Sequence, residues 1–230
     1  MAETAVKRAP GRGRFITFEG GEGSGKSTQI KSLAERLDAA KLRNIVTREP
    51  GGSPGAEIIR HLVLSGMGKL LGPDAETLLF AAARDDHVRT VIQPALNQGV
   101  WVLCDRFSDS TRVYQGRLGK VAPAVLDAME RVTIGDLKPD LTIILDVPVE
   151  VGMQRAAARR GADAPDRFEA EDLRFHQELR DAYRQIAANE PQRCVLIDAT
   201  ADPGAVAACV WAALRDRFFT TGAANLANSA

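Results

Sequence analysis

The residues best suited to chemistry lie near the start of the chain, where Gly20-Gly21-Glu22-Gly23-Ser24-Gly25-Lys26-Ser27 fits the spacing GxxxxGK[ST]. Glycines let the backbone wrap closely around a polyphosphate with its N–H groups pointing inward. A helix opening directly behind the loop adds the positive end of its dipole. In that arrangement Lys26 reaches the β- and γ-phosphates and the Ser27 hydroxyl is placed to ligate a magnesium ion bridging them. Thr28 supports the α-phosphate end. The loop predicts binding of a nucleotide such as ATP, but by itself it does not separate a switch, a motor and a kinase.

A second set of residues points to a second phosphorylated ligand. The run VWVLC ends in Asp105-Arg106, and the carboxyl ends of parallel strands face the ligand crevice, so both side chains should project beside the phosphate loop. Asp105 is suited to hold magnesium through water, and Arg106 to clamp a phosphate through two N–H groups. Arg48 ends another such run at the same rim, before Glu49-Pro50-Gly51-Gly52. Phe80 and Arg84 are four apart on a predicted helix and therefore share a face, offering an aromatic plane beside a guanidinium donor. Between 155 and 167, Arg155, Arg159, Arg160 and Arg167 are interrupted by Gly161 and Pro165, which suits a lid that closes over a triphosphate and excludes water.

The elements that must position these residues alternate along the chain. Five short apolar runs, at 14 to 20, 44 to 50, 100 to 106, 141 to 147 and 194 to 198, read as strands buried on both faces of a parallel sheet. Between them the apolar residues follow helical spacing, as in Ile30, Leu33, Ala34 and Leu37, or Val206, Cys209, Val210, Ala213 and Leu214. Strands alternating with helices predict an α/β fold. A third helical pattern, Val88 to Leu96, contains Pro94 and is expected to kink there. The reading is one domain from 14 to 218, flanked by tails at 1 to 13 and 219 to 230 whose composition suits disorder.

Composition narrows the partners. Thirty basic and thirty acidic residues give a formal net charge of zero, so no global field draws the chain to nucleic acid or an anionic membrane, and anion binding must be local. No apolar run approaches the ~18 residues of a membrane span, and no signal-peptide core is visible at the N-terminus. A cytoplasmic protein is expected. Cys104, Cys194 and Cys209 are far apart and read as reduced core residues without disulfide or metal spacing. His61, His87 and His176 read as ordinary surface or helix residues.

Taken in order, FEGGEGSGKST, TREPGG, LLFAAAR, DRFSDSTRVYQG, LKPDLTIILDVP and the DRFE of 166 to 169 resemble the bacterial thymidylate kinases from Phe15 to about Leu214. That resemblance implies a P-loop NTPase-type three-layer α/β/α fold with a five-stranded parallel sheet and a short helical lid. It also implies a homodimer and ATP-dependent conversion of dTMP to dTDP. By the same resemblance Phe80 stacks on thymine, Arg84 hydrogen-bonds its exocyclic oxygen and Thr111 meets the base edge. Tyr114 crowds the sugar 2′ position, Glu22 approaches the 3′-hydroxyl, and Gln115 and Arg48 line the same pocket. Asp105 and Arg106 face the acceptor phosphate. The phosphate loop carries Glu22 where some members have a basic residue, so the chain resembles the type whose catalytic arginines lie in the lid, among Arg155, Arg159 and Arg160.

The expected nucleophile is an oxygen of the dTMP phosphate, largely ionised near neutral pH because a phosphomonoester has a second pKa of about 6. No general base is required. Two readings stay open beside this one: a kinase for another (deoxy)nucleoside monophosphate, and a nucleotide-dependent switch that hydrolyses ATP slowly. The paired arginine sites argue against the switch.

Overall fold

The β-branched and aromatic run after residue 14 forms β1 (Phe15–Glu19), all five residues of which are buried. The computed structural model, which describes residues 12–161 and 168–219, places β1 at the centre of a five-stranded sheet. The order is β2 (Asn44–Arg48), β3 (Trp101–Asp105), β1, β4 (Leu141–Asp146) and β5 (Cys194–Asp198). Every neighbouring pair is parallel, with Thr17 in register with Cys104 on one side and Thr142 on the other. All the carboxyl ends therefore open on one edge, the edge at which α/β sheets bind ligands.

Alternation along β1 sorts the core. Ile16 and Phe18, with Leu103, Ile143 and Leu145, pack against α1 (Lys26–Ala39) through Ile30, Leu33 and Leu37, and against α9 (Pro203–Phe218) through Val206, Val210 and Leu214. Phe15 turns to the other face, where Val102, Cys104 and Phe107 meet Val88, Ile92 and Leu96. Beside them Ile144 and Cys194 meet Leu179, Tyr183 and Ile186 of α8 (Leu173–Asn189). The result is helices on both faces of the sheet, the three-layer arrangement expected. Because side chains alternate with a period of two, Glu19 follows Phe15 and Thr17 onto the second face and ends in the layer that holds Tyr183.

The rim is built by the remaining helices. After β2 come α2 (Pro54–Leu64), a 3₁₀ turn (Met67–Leu71) and α3 (Pro73–His87). The chain then passes through a wide π turn (Val88–Ile92) into α4 (Gln93–Asn97). That wide turn lies immediately ahead of Pro94, whose missing N–H cannot continue the regular ladder. After β3, α5 (Ser108–Thr111) runs into a second π turn (Arg112–Leu118) and then α6 (Pro123–Thr133). After β4, α7 (Val149–Arg160) carries Arg155, Arg159 and Arg160 of the expected lid.

One expectation changes. Cys104 and Cys194 are buried, but Cys209 is exposed, because it falls off the buried stripe of α9 formed by Val206, Val210 and Leu214. Of the expected lid and tails, residues 162–167 (Arg167 included), 1–11 and 220–230 lie outside the described residues. No helix among the described residues is long and apolar enough to cross a membrane.

Candidate active site

The chain leaves β1 through the glycine-rich loop and enters α1 at Gly25, whose φ of 92° is a left-handed turn open to glycine at little cost. The first turn of α1 thus presents its free N–H groups at the carboxyl edge of the sheet. Lys26 is 8% exposed, and its Nζ donates to the carbonyls of Gly20 at 3.1 Å and Gly21 at 3.0 Å. Burial and the nearby Arg106 hold its pKa below the usual lysine value, against the pull of Glu22, Asp105 and Glu19. The Ser27 hydroxyl donates to Asp105 Oδ2 at 3.0 Å, joining the loop to the end of β3.

That hydroxyl and carboxylate are the hard oxygen donors a magnesium ion takes, so the pair fits such an ion. No group of three or more His, Cys, Asp and Glu side chains among the described residues is placed to hold a metal. A magnesium ion here would draw its other ligands from phosphate oxygens and water, as is usual for this metal.

Arg106 sits one residue beyond β3 with φ of 68°, a left-handed backbone that costs a non-glycine residue roughly 1–2 kcal/mol. Its N–H donates to Phe18 O at 2.9 Å. Its Nη1 donates to Gly20 O, Ser110 Oγ and Tyr183 Oη at 3.2, 3.3 and 3.1 Å, and its Nη2 to Glu22 Oε1 at 2.7 Å. The guanidinium also lies 5.2 Å from the centroid of the Tyr114 ring. Burial would lower the Arg106 pKa, but Tyr114, Tyr183, Glu22 and Asp105 together hold it well above the usual arginine value. Burial likewise raises the Glu22 carboxyl, and Arg106, Lys26, Arg159 and His176 outweigh that and bring it below its usual value.

A buried carboxylate, Glu49, organises a second group of side chains at the site. Glu49 Oε2 accepts from Arg84 Nε at 2.7 Å, and Glu49 Oε1 lies 3.1 Å from His87 Nδ1. Arg84 Nη2 in turn donates to Thr111 Oγ1 at 3.0 Å. His87 Nε2 lies 2.6 Å from Thr47 Oγ1, against Gly52, where any Cβ would come within 2.5 Å of that nitrogen. Glycine is therefore required where the rim loop crosses His87. Arg48 Nη2 donates to Glu57 Oε1 at 2.9 Å from a half-exposed side chain.

Lys26, Ser27, Glu49, Arg84 and Arg106 border one cavity of about 330 Å³. The phosphate loop from Glu22 to Thr28 lines it together with Arg48, Phe80, Arg84, Asp105, Arg106, Thr111, Tyr114 and Gln115. Gly20 and Gly21 stand behind the loop, lining a separate small cavity with His176 and Tyr183. Arg155 lies elsewhere. Its Nη1 and Nη2 donate to the carbonyls of Ala199 at 2.8 Å and Thr200 at 3.0 Å, beside a second cavity that reaches the loop from the α9 side. Arg159 lines both cavities. Arg160 lines neither of them and, like Arg159, binds Glu169, at 2.8 Å against 2.9 Å.

Several residues to which the sequence assigns no role of their own belong to the site. Phe168 and Glu169 border the main cavity, and Ser110, Glu49 and Glu19 support its arginines. Glu19 did carry a signal: a carboxylate closing an apolar strand is costly to bury unless several donors meet it. The histidine reading is corrected in part. His61 is exposed, but His87 is fully buried and His176 is 4% exposed.

Residues 18–209 match the family described as Thymidylate kinase. The chain is 79% identical over 230 residues, all of both proteins, to the thymidylate kinase of Nitrobacter winogradskyi. It is 75% identical over 223 residues to that of Bradyrhizobium diazoefficiens, covering 97% of this chain and 98% of the relative. Among solved structures it is similar to the crystal structure of thymidylate kinase from Ehrlichia chaffeensis. The TM-score is 0.72 and the identity 34%, over 89% of this chain and 100% of the other.

Proposed function

The chain belongs to the thymidylate kinase family, phosphotransferases that convert dTMP to dTDP with ATP, and from that premise we propose how its residues divide the reaction. The observation that carries the assignment is a single cavity lined both by the phosphate loop and by Phe80, Arg84, Arg106 and Thr111. ATP is bound with its phosphates along Gly23 to Thr28 and its nucleoside toward the second cavity beside Arg155. dTMP enters with thymine on Phe80 and its base edge toward Arg84 and Thr111, the sugar near Tyr114, Gln115 and Glu22, and its phosphate toward Arg106 and Arg48.

With the nucleophile already ionised, these residues act by holding two polyanions in line and offsetting charge on the moving phosphoryl group. Lys26 and Arg106 supply fixed positive charge. Arg159 borders both cavities and so is the lid arginine assigned to the transferred group. Ser27 and Asp105 would hold magnesium, which when bound offsets charge on the β- and γ-phosphate oxygens. The end of α7, with Arg155, Arg159 and Arg160, is the described part of the expected lid that excludes water.

A homodimer is part of the same proposal. It is supported by Ile58 on α2, Leu78 on α3 and Val132 on α6, which are 74%, 50% and 78% exposed, and by the absence of any buried residue along α6. Coupled ADP release with dTMP, dUMP, dCMP, AMP or no acceptor tests the function. Strong preference for dTMP is expected. Acceptor-independent hydrolysis would point to a switch, and preference for another monophosphate to a different kinase.

A further inference from the structure

Glu19 is fully buried, and no step of the reaction requires it. Its Oε1 accepts from the Phe107 N–H at 2.8 Å, and its Oε2 accepts from Ser110 Oγ at 2.6 Å and Tyr183 Oη at 3.1 Å. Those two hydroxyls are the ones that accept from Arg106 Nη1. Glu19 therefore touches the Arg106 turn twice, once through the backbone next to it and once through the groups around its guanidinium. We propose that Glu19, acting through Ser110 and Tyr183, is a positioning residue that fixes Arg106 in the acceptor-phosphate site, an inference resting on the role given to Arg106 above.

The chemistry explains why a carboxylate is used. Guanidinium N–H groups only donate, so each hydroxyl must offer Arg106 a lone pair and send its own proton elsewhere. An ionised carboxylate only accepts, and Oε2 takes both hydroxyl protons at once. With Nη1 committed to three oxygens and one Nη2 proton to Glu22, Nε has no hydrogen-bond partner among the described residues. A phosphate would be met by an arginine whose rotamer is already set. That pre-organisation spares the reaction the cost of ordering a long side chain. It also holds Arg106 in its left-handed backbone, since Phe107 N–H is tied to the same carboxylate.

Glu19→Gln tests this with almost no change of shape. The amide oxygen still accepts from Phe107, but the amide nitrogen donates where Oε2 accepted, so the protons of Ser110 and Tyr183, whose oxygens are 2.8 Å apart, must turn to each other or toward Arg106, and the pair loses a lone pair it offered the guanidinium. The expected result is a fall of about a hundredfold in kcat/KM for dTMP, with the KM for ATP within about twofold. In an Arg106→Ala background the same substitution is expected to change activity by less than about threefold, because the group it acts through is gone. Tyr183→Phe, on α8 and not among the residues lining the main cavity, covers the case in which Glu19→Gln does not fold. It should cost about tenfold in the parent and again almost nothing without Arg106. Equal factors in both backgrounds would overturn the inference and return Glu19 to a structural carboxylate. A nearly normal Arg106→Ala enzyme would instead overturn the role of Arg106, and the inference with it.

Discussion

Lys26 and Glu19 are both buried charges within the same small region, and each is tolerated because the other side of the balance is nearby. For Lys26, burial and Arg106 favour loss of the proton, while Glu22, Asp105 and Glu19 favour keeping it. Replacing it with alanine should lower turnover about a thousandfold, as loss of a transition-state charge does. Steady-state kinetics with saturating ATP and dTMP would check this, and a variant within tenfold of wild type would remove Lys26 from the chemistry. Glu19 makes a second, pH-linked prediction. Burial, and then Asp109, push its carboxyl up to about 7 from 4.5, against Arg106, Ser110 and the Phe107 N–H. Between those values the folded chain holds a proton that the unfolded chain has lost, so stability falls as pH rises through that window. Urea midpoints of wild type against Glu19→Gln should show the wild type losing ground from about pH 4.5 to about 7. A flat difference would mean that the carboxyl titrates normally.

At the level of elements, the phosphate loop is precise because both of its ends are fastened. β1 enters it from the middle of the sheet, and α1 leaves it with Ile30, Leu33 and Leu37 packed against the sheet and α9. Leu37 is fully buried, so Leu37→Ala both loses apolar contact and leaves a cavity, an expected loss of about 2–5 kcal/mol in equilibrium unfolding. A loss below 1 kcal/mol would mean that α1 is held mainly by the loop. α8 is fastened at its start by Asp172, which accepts from the Phe175 N–H at 2.8 Å. That helix brings Tyr183 to the end of β1 and so links a core element to the site.

On the scale of the whole molecule, the side chains left uncovered on α2, α3 and α6 lie on packed neighbouring helices and suit burial against a second copy. Sedimentation equilibrium should give the mass of two chains, and Ile58→Asp, which would bury a charge in that contact, should raise the dimer Kd more than tenfold. A wild-type monomer at micromolar concentration would exclude the dimer. The distribution of function over the fold follows the sheet. Glu19, Arg48 and Asp105 end strands, Arg106 lies one residue beyond β3, and the loop after β1 carries Lys26, so parallel pairing alone brings them to one edge.

Much of this was legible in the amino-acid order, because local features encode it. The glycine spacing around Lys26, the Asp105-Arg106 strand end and the four-residue step from Phe80 to Arg84 are properties of neighbours, and they survive any packing of the rest. The five strands were equally plain, since apolar runs of that length between helical patterns have few other uses. What neighbours could not encode was which distant groups meet. Glu19 and Tyr183 are 164 positions apart, Glu49 and His87 are 38 apart, and Arg155 turned to the carbonyls of Ala199 and Thr200. Side-chain partners across such separations depend on the register of the sheet and the seating of helices on it. Only the folded chain determined that a strand-end carboxylate stands behind Arg106 and that His87, an unremarkable helix residue in the sequence, supports Glu49.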